Sequence, residues 1–209
     1  MKTCRESCLQ IRETLSFLNL SDPDRCQMSL RILLLGQKRF GESAWCELKN
    51  STYAGLETMA VCTNYDPDRV WWNSNRIFLD RGDIQSVDNN MRNDDALLDI
   101  IKKKKIDLIL SVQHPWILSD EVLRAVNYNA INFHNAKLPE YKGYNATNHA
   151  ILNMETSFVC TAHWMNKEVD AGELVFESSF ELTGDETSVS LYAKSFHAGM
   201  MLFRKVLLW

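Results

Sequence analysis

Asn132, His134 and Asp170 are the residues best suited, by type and spacing, to chemistry. The first two lie in Asn132-Phe133-His134-Asn135-Ala136-Lys137-Leu138-Pro139-Glu140-Tyr141-Lys142-Gly143, and the third in Val169-Asp170-Ala171-Gly172. The longer stretch reads as the end of a buried strand entering a polar loop. Side chains alternate along a strand, so Asn132 and His134 point to the same side. In an open α/β sheet the carboxyl end of a strand is where ligands bind. The pair supplies an amide donor and a titratable imidazole. A carboxylate arriving from another loop would orient that imidazole and tune its pKa. Taken alone, His134 also fits a plainer role, a core histidine satisfied by a nearby Asn, with Asp170 a turn residue. Pro139 and Gly143 bracket the loop; Pro139 fixes φ, and Gly143 permits positive φ or close approach of a ligand.

The elements that must position these residues are legible along the chain. At 209 residues with 45% hydrophobic and 24% charged residues, the composition is that of one globular domain with a proper core. Strand patterns fall at 30–36, 56–63, 106–111, 130–134, 158–165 and 173–182, and helix patterns at 40–49, 94–104, 119–126, 145–152 and 188–209. Strands alternating with helices predict an α/β fold: a Rossmann-like, mostly parallel sheet with helices on both faces. Residues 64–93 are polar and irregular, broken by Trp71-Trp72 and a short segment at 76–79. Residues 1–27 read as an N-terminal extension with one amphipathic helix at 6–20, and residues 28–209 as the catalytic domain. Met28 is a candidate start; a partner-binding arm is the other reading of the extension.

Charge and cysteine usage exclude several classes. The net charge is −4, and the basic run Lys102 to Lys105 closes a predicted helix, where cations suit the macrodipole. A nucleic-acid surface needs a larger basic footprint, so no nucleic acid is expected. No apolar run approaches the ~20 residues of a membrane span, so no membrane partner is expected. The six cysteines, Cys4, Cys8, Cys26, Cys46, Cys62 and Cys160, form no C-x-x-C pair and read as free thiols, with no metal expected. With no secretory segment visible, the expected compartment is the cytoplasm. A homodimer is left open. Gly36-Gln37-Lys38-Arg39-Phe40-Gly41 lacks the Gly-Lys-Ser/Thr ending of a P-loop, and no G-x-G-x-x-G is present.

Three pieces, N-x-H at Asn132 and His134, L-P-x-Y-K-G at 138–143, and D-x-G at Asp170 thirty-six positions after His134, resemble in order and spacing the formyltransferases that use 10-formyltetrahydrofolate. The resemblance runs from Leu30 to the C-terminus. It departs at Ala136, where many members carry Ser. It implies formyl transfer to a neutral amine without metal. Asn132 would donate to the tetrahedral oxyanion, His134 would donate to the same oxygen or protonate the departing folate nitrogen, and Asp170 would hold the imidazole and help deprotonate the amine. It also implies that Pro115, Trp116, Ile117 and Leu118, with Val169, line an apolar slot for the folate pterin. His114 beside them reads as a hydrogen-bonding scaffold more than a catalyst.

The acceptor is the open part. Glycinamide ribonucleotide formyltransferases carry a Gly-Ser-Asn-rich turn after the first strand; this chain departs from it, though Lys38 or Arg39 can still meet a phosphate. A tRNA acceptor calls for a basic face and a second domain. The stretches 141–146 and 162–165 look most like the sugar N-formyltransferases, which act on nucleotide-linked amino sugars; Tyr144, Asn145 and Asn148 would then lie near the sugar, and Trp71-Trp72 would stack on the nucleobase or fill core. The alternatives are glycinamide ribonucleotide or another small amine as acceptor, hydrolysis of formyl-folate, and a non-catalytic folate-binding scaffold.

Overall fold

The computed structural model describes residues 30–50 and 94–209, together with the backbone of 56–62. The expected N-terminal extension, Met28, Trp71-Trp72 and the 76–79 segment lie outside the described residues. The elements run β1 (Leu30–Gly36), α1 (Lys38–Asn50), β2 (Leu56–Cys62), α2 (Asp94–Lys104), β3 (Leu108–Val112), α3 (Asp120–Ala125), β4 (Ala130–His134), α4 (Ala146–Leu152), β5 (Ser157–Trp164), β6 (Leu174–Glu181) and α5 (Ser188–Leu207). The sheet order is β2-β1-β3-β4-β5-β6. The first four strands pair in parallel, and β5 and β6 extend the sheet antiparallel. This is the mostly parallel α/β sheet expected.

The continuous apolar run of β1 follows from its central place, since both faces are buried. Ile32 and Leu34 enter a core with Phe40, Leu191 and Phe203 of α1 and α5, whereas Leu33 and Leu35 enter a second core with Leu97, Ile101 and Val122 of α2 and α3. Helices therefore cover both faces. Among the described residues, no helix is long and apolar enough to cross a membrane.

Local rules set the boundaries. Ser119 caps α3 by accepting from the Val122 N–H at 3.3 Å, and Thr187 and Ser190 close a capping box on α5. The third strand starts at Leu108, two residues later than the sequence pattern suggested. Lys105 adopts φ 51° and the Ile106 N–H returns to the Ile101 carbonyl at 3.0 Å. Ile106 is thus spent on a Schellman-type end to α2, its side chain buried beneath that helix. The two glycines of the first βα turn serve packing: a Cβ on Gly41 would sit 2.7 Å from the Gly36 carbonyl carbon. That contact brings α1 hard against the end of β1.

Candidate active site

β4 alternates. Ile131 and Phe133 pack into the α1–α5 core, which sends Asn132 and His134 to the other side of the strand. β5 runs antiparallel beside β4 with Asn132 opposite His163. The β5–β6 connection then returns Asp170 onto the same spot. Gly172 permits this, since a Cβ there would lie 1.6 Å from the Trp164 carbonyl oxygen. Asp170 itself holds φ 50°, a left-handed conformation that Asp tolerates better than most residues.

Four side chains meet here. Asn132 Nδ2 donates to Asp170 Oδ1 at 3.5 Å and lies 3.2 Å from His163 Nε2. His163 Nε2 is 3.4 Å from Asp170 Oδ1. These three distances form a nearly equilateral triangle, so the two acceptors lie about 60° apart seen from Nδ2, half the ~120° between the N–H bonds of a planar amide. One N–H is shared by both acceptors, and the other has no partner among the described residues.

The carbonyl partners set the imidazole protons. His134 Nε2 lies 2.7 Å from the Tyr141 carbonyl oxygen, which can only accept, so that nitrogen carries hydrogen. Its Nδ1 faces Asp170 Oδ2 at 3.8 Å, beyond hydrogen-bond range. A second proton on His134 would therefore sit on Nδ1, beside the carboxylate. His163 Nδ1 likewise donates to the Trp164 carbonyl at 2.9 Å; its Nε2 accepts from Asn132 when neutral and donates to Asp170 when charged. The Gly143 N–H donates to Asp170 Oδ2 at 2.9 Å, and Gly143 adopts φ 84°, the conformation glycine allows. Burial works to raise the Asp170 pKa, but the His163 hydrogen bond, the nearby His134 and the Gly143 N–H outweigh it and hold the carboxyl below its ordinary range.

The cluster opens into a cleft of about 360 Å³, within the size range of small-molecule sites. Pro115, Trp116, Ile117, Leu118 and Val169 all line it, as do Lys38, Tyr144 and Asn145. Arg39 lies elsewhere, in a groove between α1 and α5 with Glu42 and His197, because consecutive residues of a helix point about 100° apart. Asn148 is not part of the lining; its Oδ1 accepts from the Ser188 hydroxyl at 2.5 Å at the start of α5. His163, Gln113 and Tyr192 also line the cleft and were given no role from the sequence. Tyr192 donates to Gln113 Oε1 at 2.9 Å, tying α5 to the loop after β3. His163 had a usable signal, its place on a strand pairing with β4; Tyr192, on a long amphipathic helix, had none. Lys38, Gln113, Asn145 and Asp170, all lining the cleft, adopt left-handed backbone conformations, strain of the kind that gathers at functional sites.

Fold and site together define an α/β protein whose polar Asn–His–Asp cluster sits at the carboxyl end of a parallel strand. The chain belongs to the formyl transferase family, whose model matches residues 30–207. It is 33% identical over 110 residues to the bifunctional polymyxin resistance protein ArnA of Wigglesworthia glossinidia brevipalpis, covering 53% of this chain and 17% of that protein. It is 30% identical over 114 residues to methionyl-tRNA formyltransferase of Fusobacterium nucleatum subsp. nucleatum, covering 54% and 37%. The matched stretches thus span well under half the length of either relative. Its fold is similar to the crystal structure of phosphoribosylglycinamide formyltransferase from Anaplasma phagocytophilum, with TM-score 0.71, 20% identity, and 84% and 83% of the two chains covered.

Proposed function

We propose that this chain is an N-formyltransferase that moves a formyl group from 10-formyltetrahydrofolate to the amine of an amino sugar, carried on a nucleotide. The observation that carries the reading is the convergence of Asn132, His134 and Asp170 at one end of β4, within hydrogen-bonding or charge range of each other. The catalytic unit in this reading is residues 28–209.

The amine nitrogen attacks the formyl carbon, and the carbonyl oxygen becomes an oxyanion. The second N–H of Asn132 meets that oxygen. Asp170, kept ionised, takes the proton the amine loses. The bond from the formyl carbon to the folate nitrogen then breaks, and that nitrogen receives a proton from Nδ1 of His134, the position facing Asp170. That proton is the second one of a doubly protonated His134, and Asp170 then passes the proton taken from the amine to the emptied Nδ1, so both groups end with the protons they began with. Nε2 of His134 stays tied to the Tyr141 carbonyl throughout, so the ring cannot turn away.

In this reading the folate takes the part of the cleft lined by Pro115, Trp116, Ile117, Leu118 and Val169. Support for a sugar acceptor comes from Tyr144, Asn145 and Lys38, polar residues that all line the cleft. The test mixes the protein with 10-formyltetrahydrofolate and a panel of nucleoside-diphosphate amino sugars plus glycinamide ribonucleotide, following tetrahydrofolate release and formyl mass gain together. Formylation of an amino sugar nucleotide is the expected result. Formyl gain on glycinamide ribonucleotide alone overturns the acceptor class, and folate turnover with no formylated acceptor points to hydrolysis.

A further inference from the structure

His114 stands in the wall of the cleft with neither ring nitrogen satisfied. Both Nδ1 and Nε2 are buried and find no hydrogen-bond partner among the described residues. A buried imidazole without partners costs stability, since its two polar atoms are desolvated for nothing in return. Most buried polar side chains avoid this. The scaffold role expected from the sequence requires such partners, and they are not there. The ring nevertheless lines the same cleft as Asn132 and Asp170.

We infer that His114 is a ligand-reading residue of this site, an imidazole whose unpartnered nitrogen, covered in the free protein, hydrogen-bonds an uncharged donor–acceptor group of the substrate once it is bound. The inference rests on the formyl-transfer reading for the identity of the ligands. The surroundings decide the charge class. Pro115, Trp116 and the buried Leu118 follow directly in the chain. Burial pushes the His114 pKa down to about 4, so the ring is neutral at working pH and carries one N–H and one bare nitrogen. A neutral imidazole in an apolar wall pairs poorly with a phosphate or carboxylate, which requires a cation or several N–H groups. It suits a group that both donates and accepts, such as the ring-amide edge of a reduced pterin or a sugar hydroxyl. Those two sources share one chemistry, and binding measurements separate them.

The cost in the free protein makes the inference sharp. Replacing His114 by Phe removes two unsatisfied polar atoms and keeps a flat ring. The unliganded His114→Phe variant should melt higher than wild type, by roughly 2–4 °C. A histidine held for structural reasons would move the melting point the other way. The same variant should lose ligand affinity about 10-fold, and His114→Asn, which restores one donor and one acceptor, should recover part of it.

The experiment measures the unliganded melting temperature of wild type, His114→Phe and His114→Asn, the Kd of each for the unreactive analogue 5-formyltetrahydrofolate, and the acceptor KM in the turnover assay. Higher Tm with weaker folate binding supports the inference and names the pterin. Higher Tm with unchanged folate Kd and a raised acceptor KM supports it and names the acceptor. Unchanged folate Kd and acceptor KM, or a lowered Tm in His114→Phe, overturn it. If wild type itself binds no folate, the formyl-transfer reading fails, and the ligand assignment of His114 falls with it.

Discussion

Asn132 on β4 and His163 on β5 are register partners across an antiparallel pairing, and their side chains meet at 3.2 Å. His163 also reaches Asp170 Oδ1 at 3.4 Å, so one imidazole spans the amide donor and the carboxylate. It touches no reacting atom in the mechanism above and acts by position. His163→Phe should therefore lower kcat by about 10²-fold, the scale of a small misplacement of catalytic groups, with little change in folate Kd. The effect should be coupled to that of Asp170→Asn: the double variant should lose less than the product of the two single losses. Fully multiplicative losses in a double-mutant cycle would remove the positioning role.

His134 has Nε2 committed to the Tyr141 carbonyl, which leaves Nδ1, 3.8 Å from Asp170 Oδ2, to exchange a proton. His134→Ala should cut kcat by roughly 10²–10⁴-fold, the range for loss of a general acid–base group, without unfolding the sheet. Single-turnover rates alongside circular dichroism check both halves. Wild-type turnover in this variant would end the catalytic reading.

Asp170→Asn keeps the shape and removes the charge. Turnover should fall at least about 10²-fold. Stability gives a second readout. The Asp170 carboxyl is held below its ordinary 3.8, so its contribution is fully present above that value and is lost as pH falls through the lower folded value. The stability gap between wild type and Asp170→Asn should therefore be widest near neutral pH and close below about pH 4. Urea midpoints at pH 7, 5 and 3 measure this; a gap independent of pH would mean the carboxylate is not stabilised by its neighbours.

Gly172 packs where a single added carbon would overlap the Trp164 carbonyl oxygen. Gly172→Ala must push the β5–β6 connection away, and Asp170 with it. We expect a loss of about 2–4 kcal/mol in stability and a drop in activity comparable to that of Asp170→Asn. A crystal structure of the variant with Asp170 undisplaced would contradict the packing argument.

Cys160 lies buried in β5, donating to the Ser195 carbonyl at 3.3 Å, and burial pushes its thiol up to about 12. It should remain unalkylated by iodoacetamide at pH 8 until the protein unfolds, because the thiolate is the reactive form. Site-resolved mass spectrometry, native against urea-unfolded, tests this; rapid native labelling would show that β5 opens readily.

Much of this protein was legible in the chain itself. The unbroken apolar run of β1 announced a strand buried on both faces, and Asp94-Asp95 ahead of Lys102 to Lys104 marked the two ends of α2. The strand period put Asn132 and His134 on one side of β4, because residue type and strand period are local properties that need no partner to be read, and Asp170 joined them through the resemblance to the formyltransferases. What only the tertiary structure decided depends on approach between distant segments. The β4–β5 register sets His163 against Asn132. The turn of α1 puts Lys38 in the cleft and Arg39 outside it. The Tyr141 carbonyl settles which His134 nitrogen keeps its hydrogen. His114 is the clearest case: its missing partners are a fact of three-dimensional surroundings, and a sequence cannot record which hydrogen bonds a side chain fails to find.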